Sequence, residues 1–204
     1  ARLGVRVLRC DPPRARREGG KAFVSLDEII AGCDIITLHV PLSREGEDAT
    51  WHLFDAARLA SLRPGQFLIN SSRGPVVDNA ALKAALQQKR LRGAVLDVWE
   101  GEPEPDRELM DLLDIATPHI AGYSADGKAN GTMASVRAVA SVLGLPLTQW
   151  RPEEIPAPPQ PLRFRLEAAG KSRQQVLSEA LLHTYDPLAD DRAPRAGAAS
   201  FGEL

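Results

Sequence analysis

The chain has 204 residues, 44% hydrophobic and 25% charged, the balance of an ordinary globular protein with ample material for a core. Lys and Arg number 25 against 27 Asp and Glu, a formal net charge of −2, so no basic excess is available to neutralise a phosphate backbone and nucleic acid is not an expected partner. The apolar runs stop well short of the roughly 20 residues a spanning helix needs, and Cys10 and Cys33 supply neither a disulfide scaffold nor a metal-ligand spacing; the expectation is no membrane partner, no metal site and a cytoplasmic, reducing setting.

The chain opens on A-R-L-G, which reads as the last turn of a helix closed by a glycine, so a first strand–helix unit is expected to precede Ala1. Residues 4–10 (GVRVLRC) read as a strand, stopped by Asp11-Pro12-Pro13. Ser25 with Glu28 makes a capping box for a helix over 26–31, which runs into a buried-type strand over 34–40 that Pro41 ends. A helix over 55–62 is stopped by Pro64-Gly65, and 66–71 (QFLINS) reads as the third strand. Asp78 caps a helix reaching Lys89, with Ala81, Leu82, Ala85 and Leu86 on one face. Residues 93–99 (GAVLDVW) are the fourth strand, 106–113 a short helix, 115–117 a fifth strand and 128–143 a long helix.

Short apolar strands alternating with helices predict an α/β fold: a doubly wound, Rossmann-like parallel sheet, with its first strand and glycine loop missing. Residues 1–150 are read as this domain. Residues 151–161 hold five of the sixteen prolines and read as a linker. The remainder, 162–204, reads as a short α+β appendage: an alternating strand over 162–166, an amphipathic helix over 172–185 and a poorly ordered tail from Asp186.

In such a sheet ligands bind beyond the carboxyl ends of the strands. Asp11 stands where a dinucleotide-binding fold keeps the acid that accepts from a ribose, and an Asp-Pro turn fits the same residues equally well. Arg14, Arg16 and Arg17 would suit a 2′-phosphate, but the Asp11 carboxylate would repel one, which favours NAD over NADP. Taken singly, Arg73 reads as a surface partner of Asp78, Glu102 as a solvated loop acid and His119 as a core histidine. Together they supply a cation to clamp an acid, a base to take an alcohol proton and a carboxylate to hold that base, each beyond a different strand. His52 and His183 have no carboxylate motif nearby and read, like Trp51 and Trp99, as surface or packing residues.

With these residues assembled, the chain resembles the D-isomer-specific 2-hydroxyacid dehydrogenases. The likeness lies in 34–42 (DIITLHVPL), 68–78 (LINSSRGPVVD), 94–103 (AVLDVWEGEP) and 117–122 (TPHIAG). A narrower likeness, to members acting on a phosphorylated 2-hydroxy acid, rests on 10–14 (CDPPR), 99–103 and 119–132 (HIAGYSADGKANGT). The resemblance implies that Arg73 binds and polarises the 2-hydroxy acid, that His119 exchanges the proton and that Glu102 supports His119. It further implies that Asp11, Val40, Asp97 and Gly122 contact NAD, and that Tyr123 touches the substrate near its phosphate. The family's substrate lobe and glycine fingerprint are not in this sequence, and 162–204 resembles part of a dimerisation region, so a homodimer is expected of the whole protein. Two other readings stand beside this one: another D-2-hydroxyacid dehydrogenase, and a non-catalytic NAD-sensing module, which would have no need of all three residues.

Overall fold

The computed structural model describes residues 4–158, 160, 161 and 163–197. Helices α1 Pro12–Glu18 and α2 Leu26–Gly32 come first. Then β1 Ile35–Leu38, α3 Ala56–Ala60, β2 Phe67–Asn70, α4 Asn79–Gln87, β3 Gly93–Leu96, α5 Arg107–Leu112 and β4 Ile115–Ala116 alternate. Helices α6 Ala125–Leu143, α7 Arg173–Thr184 and α8 Pro187–Arg195 follow. The strands pair in parallel in sequence order, with Ile35 opposite Phe67, Phe67 opposite Gly93 and Val95 opposite Ile115. This is the α/β sheet with flanking helices that the alternation predicts.

The helices start where short polar side chains can satisfy their free N–H groups. Asp11, Asp55 and Asp78 accept from the N–H of Arg14, Arg58 and Ala81 at 2.9–3.0 Å, and Ser25 with Glu28 forms the complete capping box. Between the caps, Phe54, Leu59, Leu68, Leu82, Leu96, Leu109 and Met110 are at most 1% exposed and form one apolar core around the sheet.

Three expectations are corrected. Residues 4–10 are not a strand: no strand lies beside them among the described residues, and extended backbone without a ladder partner is not held as sheet. Leu8 and Cys10 still pack against the core, while Val5 and Val7 stay exposed. The tail from Asp186 contains α8, where Asp191 accepts from the Ala116 N–H at 2.6 Å and from the Arg195 guanidinium at 2.9 Å. Of the expected strand over 162–166, Leu162 lies outside the described residues, and 163–166 adopt no regular structure.

The chain divides into two compact units, residues 1–119 with 188 onward, and residues 120–187. The first holds the sheet and the core. In the second, the Ser124 side chain caps α6, which ends on Gly144 in the left-handed region. There Arg137 donates to the Trp150 carbonyl at 2.9 Å, and the His183 ring lies 3.9 Å from that of Phe164. No helix among the described residues is long and apolar enough to cross a membrane.

Candidate active site

Because Asn70 pairs with Leu96 and Leu96 with Ala116, strands β2, β3 and β4 end level with one another. The loops carrying Arg73, Glu102 and His119 therefore leave the same edge of the sheet. Fully buried Asn70 shapes the first of them: its amide donates to the Arg73 carbonyl at 2.9 Å, and its oxygen accepts from the Ser72 N–H and hydroxyl at 3.1 and 2.8 Å. The Arg73 side chain is exposed and donates to the Ser72 carbonyl at 2.6 Å. It does not pair with Asp78, which caps α4 instead.

Gly74 brings that loop against the next. A Cβ there would lie 1.9 Å from the Trp99 carbonyl oxygen and 2.1 Å from its carbon, so only glycine permits the approach. Trp99 is buried, as a packing residue should be, and its indole donates to the Thr117 carbonyl at 3.0 Å. Asp97 is 5% exposed and accepts from the Thr117 hydroxyl at 2.6 Å, while its N–H donates to the Asn70 carbonyl at 3.0 Å. Backbone and side-chain bonds thus stitch the three strand ends together.

Glu102 and His119, 17 residues apart, meet. One Glu102 oxygen accepts from the Trp99 N–H at 2.7 Å and the other lies 2.8 Å from His119 Nδ1. A carboxylate only accepts, so Nδ1 carries a proton, and in the neutral imidazole Nε2 is the nitrogen that holds the lone pair. With 42% of the His119 side chain exposed and 30% of that of Glu102, the free nitrogen is open to a reactant. The His119 backbone has φ +60°, a conformation that costs a non-glycine residue about 1–3 kcal/mol and collects at functional sites.

The remaining expected residues have contacts of their own. Asp11 caps α1, its carboxylate 4.0 Å from Arg14 Nε. Val40, just beyond β1, is partly buried against the core. Arg16 of α1 is paired with Glu47 and Asp48, and Arg14 with Glu18. Beside Asp11, burial and then the Asp11 charge push the Cys10 thiol up, away from a reactive thiolate. Gly122 and Tyr123 belong to the second unit; the Tyr123 ring is 45% exposed, with the Lys128 ammonium 3.7 Å from its centre.

His52 is more than a surface residue. Its Nε2 lies 2.7 Å from a Glu100 oxygen and its Nδ1 3.8 Å from Asp78, partners 48 and 26 positions away that no local motif announces. Asn70 was likewise hidden, since a buried amide inside an apolar strand has no period of its own.

Arg73, Glu102 and His119 thus lie beyond the ends of successive strands of a parallel α/β sheet, with Glu102 and His119 bonded to one another. The chain belongs to the D-isomer specific 2-hydroxyacid dehydrogenases, whose NAD binding domain matches residues 1–121. Among individual relatives, it is 52% identical over 189 residues to the erythronate-4-phosphate dehydrogenase of Stutzerimonas stutzeri strain A1501, covering 93% of this chain and 49% of that protein. It is 50% identical to that of Pseudomonas entomophila strain L48 over the same shares. The chain thus spans about half the length of the curated relatives it matches. Among solved structures, D-lactate dehydrogenase from Aquifex aeolicus, complexed with NAD and lactic acid, superposes with a TM-score of 0.51 at 33% identity, over 60% of this chain and 41% of that one.

The cofactor of the domain is NAD, and the donor set suits it. The Asp11 side chain is 37% exposed and gives one oxygen to the Arg14 N–H, so acceptor capacity remains for a ribose diol. The nearby guanidinium of Arg16 is held by acids and is not free for a 2′-phosphate.

Proposed function

We propose that the chain is the NAD-binding and catalytic part of an enzyme that oxidises 4-phospho-D-erythronate to its 2-oxo acid, a step of pyridoxal phosphate biosynthesis. The observation that carries this reading is the Glu102–His119 pair, at 2.8 Å, in a chain half identical to erythronate-4-phosphate dehydrogenases. In this reading the Arg73 fork binds the substrate carboxylate. His119 Nε2 takes the proton of the 2-hydroxyl, and Glu102 holds Nδ1–H and stabilises the imidazolium that results. Bound NAD supplies the acceptor for the hydride leaving C2. Asp11, Val40, Asp97 and Gly122 hold the cofactor, and Tyr123 faces the substrate phosphate. The whole enzyme is a homodimer of the cytoplasm, a setting that suits the two free cysteines of this chain, with 1–150 as cofactor domain, 151–161 as linker and 162–204 as part of the dimerisation region.

The test is NADH production by the protein expressed from its own gene. The phosphorylated acid is expected to exceed its unphosphorylated parent about tenfold or more in kcat/KM, since a charge-assisted contact contributes about 1.5–3 kcal/mol. His119→Ala is expected to lower kcat by about 10²–10⁴ while leaving NAD binding, read by fluorescence titration, intact. Unchanged turnover in that variant removes His119 as the base, and equal rates on the two acids remove the phosphorylated substrate.

A further inference from the structure

Glu102 rests on a loop that also carries Glu100, which is bonded elsewhere than to His119. One Glu100 oxygen lies 2.7 Å from His52 Nε2, and the other accepts from the Asn79 N–H at 2.9 Å. The Asn79 side chain replies, its oxygen accepting from the Glu100 N–H at 3.2 Å and its amide donating to the Val77 carbonyl at 2.9 Å. His52 is set in the left-handed region, φ +47°, and its ring stacks on Trp51 at 4.8 Å, with the Arg44 guanidinium 3.5 Å from the Trp51 ring centre on that same loop. The His52 N–H meanwhile donates to the Pro75 carbonyl at 2.8 Å, one residue beyond Gly74. Both Glu100 oxygens and one of Asp78 accept from donors within the chain, so the group reads as a hydrogen-bonded clamp.

We propose that His52, Glu100 and Asn79 are positioning residues that fix the Glu102 loop and, through it, the orientation of the His119 ring. The geometry is direct: Glu100 is separated from Glu102 by Gly101 alone, at φ +77°, and Glu102 is itself anchored on the Trp99 N–H at 2.7 Å. A loop pinned at Trp99 by Gly74 and at Glu100 by three bonds leaves the Glu102 carboxylate little freedom. His52 thereby ties the segment after β1 to the loops after β2 and β3. A carboxylate is needed at Glu100 because it faces two donors at once, whereas glutamine can replace it only if His52 shifts its proton to Nδ1.

The inference rests on the dehydrogenase reading for its kinetic consequence, but not for its primary readout. Long-range ¹H–¹⁵N spectra of the histidine-labelled protein at alkaline pH report which nitrogen of His119 carries the proton, without any turnover. The expected result is Nδ1–H in the parent protein and loss of that preference in Glu100→Ala and in His52→Ala. Glu100→Gln should retain it, with the His52 proton moved to Nδ1. In the NAD-dependent assay Glu100→Ala should lower kcat about 10²-fold, the order of loss for a displaced catalytic group, with KM for NAD unchanged and Glu100→Gln within about threefold of the parent. An unaltered His119 tautomer in both alanine variants overturns the clamp even if the enzyme is active. An inactive parent that nonetheless loses the tautomer on substitution overturns the substrate reading and keeps the clamp. Should Glu100→Ala fail to fold by circular dichroism, His52→Ala alone decides the matter.

Discussion

Gly74 does at the scale of one residue what no side chain at that position can. Its missing Cβ is the space occupied by the Trp99 carbonyl, and the loop bearing Arg73 is seated through it. Gly74→Ala is therefore expected to force the two loops apart, costing about 1–3 kcal/mol as overpacking does. A lower urea midpoint, together with a raised KM for the acid as Arg73 is displaced, is the predicted pattern; an unchanged midpoint would mean the loops yield freely. The placement of Arg73, Glu102 and His119 is legible in the sequence because a parallel sheet sends the loops after its strands to the same end, so finding the strands finds the candidates. His52 with Glu100 and the template role of Asn70 were not. Long-range pairs between loops leave no periodic trace, and a histidine 48 residues from its acid looks solitary in one dimension.

Among the elements, α8 shows how composition misleads. Pro, Ala and Asp in residues 186–197 read as a tail, yet Asp191 and Arg195 are spaced to bond across one helical turn, and the pair lies against β4 and α5. Arg195 donates to the Met110 and Leu113 carbonyls at 2.7 and 3.0 Å, and Arg107 reaches the Pro194 carbonyl at 3.0 Å. Burial alone pushes the Asp191 carboxyl up; the bonds from Arg195 and the Ala116 N–H outweigh it and hold the group below its ordinary value. A depressed folded value means that this stabilisation is full above about pH 4, where an unfolded aspartate is ionised, and fades as pH falls through the folded value. Asp191→Asn is expected to cost about 2 kcal/mol near pH 7, and urea denaturation near pH 3 should show a smaller gap between variant and parent. A pH-independent gap would assign the loss to packing. Helices α2, α4 and α5, capped by Ser25, Asp78 and Asp106, are readable because capping chemistry is local, whereas α1, capped by Asp11, reads in the sequence only as a turn that stops a strand. Residues 4–10 were misread because strand propensity describes a residue's fit to a sheet and says nothing of whether a neighbouring strand is present.

For the whole molecule, the two borders of the sheet are treated differently. Along β4 the Ala116 N–H is taken by Asp191. Along β1, no further strand is paired among the described residues, and Ile35 is 57% exposed. An open border bearing an apolar side chain is a template for another strand. Ile35→Lys is predicted to leave the core intact and to give less concentration-dependent light scattering than the parent chain; equal scattering would show that this border does not drive association. The same open ladder allows control from outside. A short β-forming peptide added in solution would extend the array by one member and, by binding only the folded form, raise the melting temperature in proportion to the logarithm of its concentration. The interior would need no redesign at all.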